Sequence, residues 1–186
     1  IMLAPFVCFV SHYLYICTFR KKTYGTMIRT VNATDAEAIA HIYNHYVLHT
    51  TISFETQAVT TADMLHRITS ISAQYPYIVY EHEGRVVGYC YAHAWKERVA
   101  YSHTLETTIY LHPDYCHRGI GKRLMQRLIA LCRAQGVHVL IACITGGNEG
   151  SIALHQALGF EQQSCFKEVG RKLGAWLDVV DLALIL

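Results

Sequence analysis

The chain has 186 residues, of which 52% are hydrophobic and 16% charged, and its formal net charge is +2. This length suits one domain with a sizeable core, and the apolar content excludes a disordered chain. The small net charge gives no support for a nucleic-acid-binding or membrane-surface protein. Seven cysteines without a C-x-x-C pair argue against a disulfide framework or a zinc site. We therefore expect a reducing, cytoplasmic location.

Residues 1–26 form an apolar N-terminal extension that differs from the rest of the chain. Residues 1–19 are almost wholly apolar, and Arg20, Lys21 and Lys22 follow them. A membrane anchor with a basic flank and an ordinary extra helix are two interpretations. We favour a third, a non-essential extension, because Met27 resembles a natural start before the first strand. The functional domain is therefore expected to span residues 27–186, with no membrane segment in it.

The apolar periodicity after residue 26 predicts alternating strands and helices. The first helix is expected to begin at Thr34, with Glu37 as its capping-box partner, and the second at Thr60, with Asp63 in that role. The predicted elements are strand 28–31, a helix from 34, helix 60–73, strands 77–80, 85–94 and 105–111, helix 120–135, strand 137–144, helix 151–158, and strands 160–166 and 176–184. This order predicts a mixed α/β sheet with helices packed against it.

The turn between the strand ending at Leu111 and the helix beginning at Ile120 carries the most informative motif. Two glycines, Gly119 and Gly121, stand at the mouth of that helix. Helix starts carry unpaired N–H groups and a partial positive charge, and glycine lets the main chain approach an anion. The turn therefore indicates either a phosphate site or an ordinary loop. A P-loop is excluded because Cys116 stands where its first glycine is required, and a dinucleotide fingerprint lacks its third glycine.

Three histidines at helical spacing suggest a competing metal site. His41, His45 and His49 lie at i, i+4 and i+8, so one helix face could present them to a transition metal. No carboxylate or cysteine is spaced to complete that site. We therefore predict no metal.

The glycine turn resembles the R/Q-x-x-G-x-G/A pyrophosphate loop of the GNAT N-acetyltransferases, with Cys116 in place of the usual Arg or Gln. Within that family, the chain resembles the phosphinothricin N-acetyltransferases and the methionine sulfone or sulfoximine acetyltransferases. The segments that carry this closer resemblance are IYNHY (42–46), TISFE (51–55), WKERVAY (95–101), ETTIY (106–110), NEGS (148–151), LHQALGF (154–160) and W-x-DV (176–179). The resemblance covers residue 28 to the end.

The resemblance implies the GNAT fold, a mixed and mostly antiparallel central sheet flanked by helices. It also implies acetyl-CoA as co-substrate and a homodimer, since these enzymes commonly form dimers. Glu106 matches the family's general base, which frees the acceptor's ammonium of a proton. His155 would serve either as proton donor to the departing thiolate or as an orienting group for the acceptor, and a purely structural role is the alternative.

The resemblance also assigns binding residues. The backbone of Ile109–Leu111 would pair with the pantetheine arm. The predicted cofactor-binding residues are Ile109, Tyr110, Leu111, His117, Arg118, Gly119, Ile120, Gly121, Lys122 and Asn148. The predicted acceptor-binding residues are Phe54, Lys96, Arg98 and Tyr101. Arg98 offers a planar fork that suits a carboxylate or phosphinate, and the alternative for this segment is a solvated loop with ordinary surface charge.

These observations predict direct transfer of the acetyl group of acetyl-CoA to the α-amine of a small amino-acid-like acceptor. Acetylation of a protein N-terminus or of a polyamine is the alternative among enzymes. The alternative that is not an enzyme is a module that binds acyl-CoA without catalysis. Lys96 and Arg98 favour an anionic acceptor over a polyamine, and the presence of Glu106 with both glycines favours an enzyme.

Overall fold

The structure is a computed structural model in which residues 25–186 are described. The prediction of an extension at residues 1–26 lies outside that range, except for Gly25 and Thr26. The strands are β1 (Met27–Thr30), β2 (Tyr77–His82), β3 (Arg85–Ala94), β4 (Thr104–Leu111), β5 (Val139–Thr145), β6 (Glu161–Lys172) and β7 (Ala175–Ile185). The α-helices are α1 (Ala36–His49), α2 (Thr61–Ser72), α3 (Ile120–Ala134) and α4 (Glu149–Gln156). The predicted order of elements is confirmed.

The seven strands form one sheet in the order β1-β2-β3-β4-β5-β7-β6. Neighbouring strands are antiparallel except β4 and β5, which are parallel. The predicted mixed, mostly antiparallel sheet is therefore confirmed. The β2–β3 hairpin turns at Glu83 and Gly84, whose φ angles of 51° and 79° match the tight turn expected there.

Helices cover both faces of the sheet and divide its core into two parts. Buried residues of α3, such as Leu124 and Leu128, pack with β2, β3 and β4 on one face, in a core that continues to β5 and β7. Residues of α1 and α2, such as Ile39 and Ile68, pack with β2 and β3 on the other face. Strand β4 contributes to both, since alternate side chains of a strand point to opposite faces. Its position in the middle of the sheet makes it the frame of the candidate site.

The predicted cap of the first helix, Thr34 with Glu37, is wrong. Asn32 caps a short 3₁₀ turn (Ala33–Asp35) that leads into α1, and the N-cap position of α1 itself is Asp35. The Asn32 side chain accepts from the Thr34 backbone N–H at 3.0 Å, and Asp35 accepts from the Asn32 backbone N–H at 2.8 Å. The capping box therefore uses Asn32 and Asp35. The second predicted start is confirmed, because the Thr60 side chain caps α2 and bonds Asp63.

A part-buried ion cluster ties this first cap to the sheet. Arg29 of β1 binds both carboxylate oxygens of Asp35, at 2.7 and 2.8 Å, and Glu81 of β2 at 2.9 Å. Asp35 is 4% exposed, so its charge depends on Arg29 for compensation. Replacing Arg29 with Met leaves that buried charge unpaired, and we expect the free energy of unfolding to fall by about 3 kcal/mol in urea denaturation.

The exposed pair Arg67–Glu55, at 2.7 Å, is the matched control for this prediction. Its side chains are 41% and 39% exposed, so we expect Arg67→Met to cost less than about 1 kcal/mol. Equal losses in the two variants would contradict the importance of burial at Asp35.

Candidate active site

Strands β4 and β5 form a fork in the middle of the sheet. They pair only from Thr104 with Val139 to Glu106 with Ile141, and then diverge. At the base of the fork, the Thr107 hydroxyl donates to the Ile141 carbonyl at 3.2 Å. Beyond it, β4 keeps β3 as its partner and β5 keeps β7. The facing edges of β4 and β5 are therefore open to a ligand.

One cavity of about 990 Å³ lies between this fork and the start of α3, and we call it the glycine-turn cavity. The predicted cofactor-binding residues that line it are Ile109, Tyr110, Leu111, His117, Gly119, Gly121, Lys122 and Asn148. Arg118 and Ile120 are not among its lining residues. Ile120 is 4% exposed in the core, and the Arg118 guanidinium lies 4.9 Å from the centre of the Tyr115 ring.

The glycines of the turn have different structural reasons. Gly119, the residue before α3, has a φ of +72°, a left-handed conformation that suits glycine. A Cβ on Gly121 would lie 3.2 Å from the Leu154 side chain, so this glycine lets α3 approach α4 closely. Lys122 adds a positive charge to the same cavity wall. This arrangement suits a phosphate or pyrophosphate group at the start of α3.

Cys116 occupies a packed position beside the turn. Its sulfur lies 3.8 Å from the His112 carbonyl oxygen and 4.0 Å from the Tyr46 hydroxyl. The Tyr46 hydroxyl donates to the Leu111 carbonyl at 2.6 Å. The carbonyl at the end of β4 is thus already bonded, which leaves the backbone of Ile109 and Tyr110 as the better partner for an extended ligand.

A second cavity of about 510 Å³ continues from the first into the fork, and we call it the Glu106 cavity. The residues common to both linings are Ile52, Ile109, Tyr110, Thr145, Asn148 and Ser151. The predicted site residues that line the Glu106 cavity are Phe54, Glu106, Ile109, Tyr110, Asn148 and His155. The two cavities therefore form one cleft that runs from the glycine turn to Glu106.

The Glu106 carboxylate lies among groups from three neighbouring strands. Burial raises its pKa, and the negative charge of Asp181 acts in the same direction. His93 and a hydrogen bond with the Cys143 thiol oppose the increase without cancelling it. The Glu106 Oε1 atom is 3.9 Å from His93 Nε2. A carboxylate with a raised pKa is a stronger base, which suits it to remove a proton from a ligand.

His155 is 2% exposed and reaches the Glu106 cavity from α4. Its Nδ1 lies 2.8 Å from the Ser151 carbonyl oxygen, which can only accept a hydrogen bond. The proton is therefore on Nδ1, and Nε2 carries a lone pair. Nε2 is buried and has no partner in the described part of the chain. Burial also lowers the pKa of His155, so the neutral ring is favoured.

The wall of the Glu106 cavity around Phe54 contains polar residues that the sequence analysis did not identify: Tyr43, Ser53 and Glu55. The Glu55 carboxylate accepts from Arg67 at 2.7 Å and from the Tyr43 hydroxyl at 2.9 Å, and the Tyr43 and Ser53 hydroxyls are 2.9 Å apart. Glu55 and Ser53 fall inside the TISFE segment, which was a signal for them. Beside them, Phe54 packs directly over Gly170 of β6, where no Cβ could fit.

Three predicted acceptor-binding residues lie elsewhere. The Lys96 ammonium is 4.0 Å from the Trp95 ring centre and 5.4 Å from the Tyr101 ring centre. Arg98 precedes the short helical turn that contains Tyr101. Neither cavity's lining, as far as residues 25–186 define it, includes Lys96, Arg98 or Tyr101. Their predicted contact with the acceptor stays a prediction.

The three helical histidines do not form one cluster. His41 stacks on His112 with ring centres 6.0 Å apart, whereas the His45 and His49 rings are 5.6 Å apart. Among residues 25–186, no group of three or more His, Cys, Asp or Glu side chains could hold a metal ion. In the same range, no helix has both the length and the apolar character needed to cross a membrane.

Known proteins resemble this chain in both sequence and architecture. Residues 28–180 match the acetyltransferase (GNAT) domain family. An L-amino acid N-acyltransferase of Escherichia coli strain K12 is 39% identical over 161 residues, 84% of this chain and 92% of the relative. An L-methionine sulfoximine/L-methionine sulfone acetyltransferase of Salmonella typhimurium is 37% identical over 158 residues, again 84% and 92%. The crystal structure of a phosphinothricin acetyltransferase from Sinorhizobium meliloti with acetyl-CoA has a TM-score of 0.84 at 39% identity and covers 87% of this chain and 88% of that one.

The cleft and these similarities define an acyl-CoA-dependent transferase, and the chain belongs to the GNAT acetyltransferase family. It has the GNAT fold and is an acetyl-CoA-dependent N-acetyltransferase. The residues of the glycine-turn cavity fit acetyl-CoA, since the helix start, Lys122 and the left-handed Gly119 suit its pyrophosphate. The open edge of β4 suits an extended pantetheine arm.

Proposed function

We propose that the chain transfers the acetyl group of acetyl-CoA directly to the α-amine of a small amino-acid-like acceptor. The observation that carries this proposal is the continuous cleft, with an anion-binding helix start at one end and a carboxylate of raised pKa at the other. Acetyl-CoA, when bound, supplies the thioester carbonyl that is attacked and a thiolate as leaving group. No protein nucleophile is required.

Glu106 is the proposed general base. An amino acid's ammonium is not nucleophilic until it loses a proton, and Glu106 lines the cavity in which the acceptor would lie. Cys143 is an unsuitable nucleophile although it lines the same cavity, because partial desolvation in the cleft and the charges of Glu106 and Asp181 raise the pKa of its thiol. The thiol therefore stays protonated.

The proposed acetyl-CoA contacts follow the glycine-turn cavity. Gly119, Gly121 and the backbone around His117, Arg118 and Ile120 would surround the pyrophosphate, with Lys122 as counter-charge. The backbone of Ile109 and Tyr110 would pair with the pantetheine arm along β4, and Leu111 would line the same path. Asn148 caps α4 through its side-chain oxygen, which accepts from the Ser151 N–H at 3.3 Å. Its side-chain amide nitrogen is then the group suited to bind the arm.

His155 fits an orienting role better than that of a proton donor. Its Nδ1–H is used by the Ser151 carbonyl, so Nε2 can accept a hydrogen bond but cannot donate one. We propose that Nε2 accepts a hydrogen bond from an N–H of the acceptor amine. This bond would orient the lone pair of the amine nitrogen towards the thioester carbonyl.

The acceptor is proposed to be of the phosphinothricin, methionine sulfone or methionine sulfoximine type. The relatives' names support this class, and Phe54 gives the Glu106 cavity an apolar wall. Lys96, Arg98 and Tyr101 remain proposed partners of the acceptor's acidic groups.

The test is CoA-thiol release by the purified full chain with acetyl-CoA and a panel of acceptors. The panel contains phosphinothricin, methionine sulfone, methionine sulfoximine, ordinary amino acids, spermidine and a peptide. We expect release with the amino-acid analogues. Release only with spermidine or the peptide would overturn the acceptor class. Tight acetyl-CoA binding without release for any acceptor would identify a binding module.

The pH dependence of this activity should reflect the environment of Glu106. Only the ionised carboxylate can accept a proton, so kcat/KM is expected to fall as the pH drops through the raised pKa. Asp181 raises that pKa through its negative charge. We therefore expect Asp181→Asn to move the acidic limb of the pH–kcat/KM profile to lower pH. Glu161→Gln, at an exposed carboxylate of β6, is the control and should leave the limb in place.

We further propose a cytoplasmic homodimer. Strand β6 is a 12-residue edge strand, and long uncovered edges commonly pair or pack with another chain. Large apolar side chains on the hairpin formed by β6 and β7 are exposed, among them Phe166 (52%), Val169 (59%) and Trp176 (61%). Sedimentation equilibrium should give twice the chain mass, and Phe166→Lys should reduce it.

A further inference from the structure

A row of polar side chains crosses four strands at the base of the fork. His93 of β3 is the register partner of Glu106 of β4, and Cys143 of β5 is the register partner of Asp181 of β7. Glu106 pairs with Ile141, two residues before Cys143, so the side chains of the row share one face of the sheet. Tyr91 also stands beside His93, with ring centres 5.7 Å apart. Glu106 thus has a distinct neighbour on each side.

We propose that His93 takes the proton that Glu106 removes from the acceptor and returns it to solvent. This role rests on the proposed function, in which Glu106 is the general base. His93 acts through Glu106 and does not touch the acceptor, so it is a positioning and relay residue.

The proton balance of the reaction requires such an exit. The acceptor's ammonium has three N–H protons, of which the amide product keeps one and the departing thiolate takes one. The third proton must leave the cleft before the next turnover. Glu106 receives this third proton as the amine becomes nucleophilic, and His93 Nε2 then takes it from the Glu106 carboxyl. The imidazolium releases it to water, which restores both groups.

The geometry of His93 suits this direction of transfer. Its Nδ1 lies 3.0 Å from the Ala94 carbonyl oxygen, which can only accept, so the proton of the neutral ring is on Nδ1. Nε2 therefore carries the lone pair, and Nε2 is the atom 3.9 Å from Glu106 Oε1. This separation exceeds a hydrogen bond and is closed by a small side-chain rotation or one bridging water. The His93 side chain is 33% exposed, which gives it access to solvent.

The other polar groups in the row are less suited to accept the proton from Glu106. The Cys143 thiol is already protonated, since partial desolvation in the cleft and the nearby Glu106 charge raise its pKa. Asp181 accepts from the Ser164 hydroxyl at 2.9 Å, and its charge favours the protonated form of Glu106. Tyr91 is partly buried, and the resulting desolvation raises the pKa of its hydroxyl. His93 offers a free Nε2 lone pair towards Glu106 and a partly exposed ring, which makes it the suitable carrier.

The test uses the full chain, acetyl-CoA and methionine sulfone in dilute buffer. We expect His93→Ala to lower kcat by ~10-fold or more, with both KM values nearly unchanged, because proton removal and not binding is impaired. Added imidazole should restore most of the lost rate. In a single turnover followed with a pH indicator, the proton should reach solvent together with the thiol in the wild type and lag behind it in the variant.

Three comparisons make the outcome decisive. His93→Gln keeps a polar side chain of similar size but cannot carry a proton, so it should be as slow as His93→Ala. His66→Gln, at an exposed histidine of α2, should retain the wild-type rate. Glu106→Gln should be slow and unaffected by imidazole, because the base itself is lost.

Each contrary result has a separate meaning. Full activity of His93→Gln, or a slow His93→Ala that imidazole does not restore, overturns the relay and leaves Glu106 as the base. Full activity of Glu106→Gln overturns the general base and the relay together.

Discussion

Replacing Glu106 with Gln is expected to lower kcat by about 10²- to 10⁴-fold, the usual contribution of a positioned general base. Glutamine has the same shape but cannot accept a proton from the acceptor's ammonium. The KM for acetyl-CoA should change little, since Glu106 lines the Glu106 cavity and is not among the lining residues of the glycine-turn cavity. Thiol release under saturating acetyl-CoA and methionine sulfone measures the effect.

Two further measurements make this result specific to the carboxylate. Glu37→Gln, at an exposed carboxylate of α1, should have the wild-type rate. Raising the pH increases the fraction of free amine in solution and should recover part of the activity of Glu106→Gln. A variant with wild-type kcat and an unchanged pH profile would show that the acceptor binds as free amine without help from this residue.

Elements with a strong local signal could be predicted from the sequence. The bounds of β3, 85–94, agree with the structure because the Glu83-Gly84 turn determines where the strand begins. The cap at Thr60 was likewise correct. At the first helix, two overlapping capping patterns compete, Asn32 with Asp35 and Thr34 with Glu37. Arg29 holds Asp35 in place from β1, a contact outside the helix that local pattern cannot supply.

The site could be predicted only where a motif carries it. The glycine turn and Glu106 are contiguous with recognisable segments, and both line the cleft. His93, Cys143 and Asp181 belong to no such motif, and they meet Glu106 through the lateral order β3-β4-β5-β7. That order inserts β7 between β5 and β6, which periodicity along the chain does not reveal. His93 could have been predicted beside Glu106 only by pairing β3 with β4 in the correct antiparallel register.

The Lys96–Tyr101 segment shows the opposite limit. Its motif is recognisable, but the contacts of Lys96 with Trp95 and Tyr101 depend on how the connection between β3 and β4 folds. A motif thus identifies residues that act together without locating them relative to a cleft. The distance between such a segment and the cleft is set by packing.

The second large effect is expected at the glycine turn. Gly119→Val should weaken acetyl-CoA binding by about 10-fold or more in isothermal titration calorimetry. A β-branched residue at a φ of +72° costs about 1–2 kcal/mol, and the backbone relaxes by turning the N–H groups at the start of α3 away from the cavity. A tenfold loss of affinity corresponds to about 1.4 kcal/mol. The KM for the acceptor should change much less.

Gly136→Val separates this loss of binding from a general loss of stability. Gly136 follows the other end of α3, has a φ of +77°, and has no atom within 4 Å of the position that a Cβ would take, as at Gly119. Both variants therefore carry the same backbone strain on the same helix, and both should lower the melting temperature by similar amounts. Only Gly119→Val should weaken acetyl-CoA binding, because only its end of α3 faces the cavity. Equal affinity in the two variants would show that the pyrophosphate is held by side chains such as Lys122 and not by the helix start.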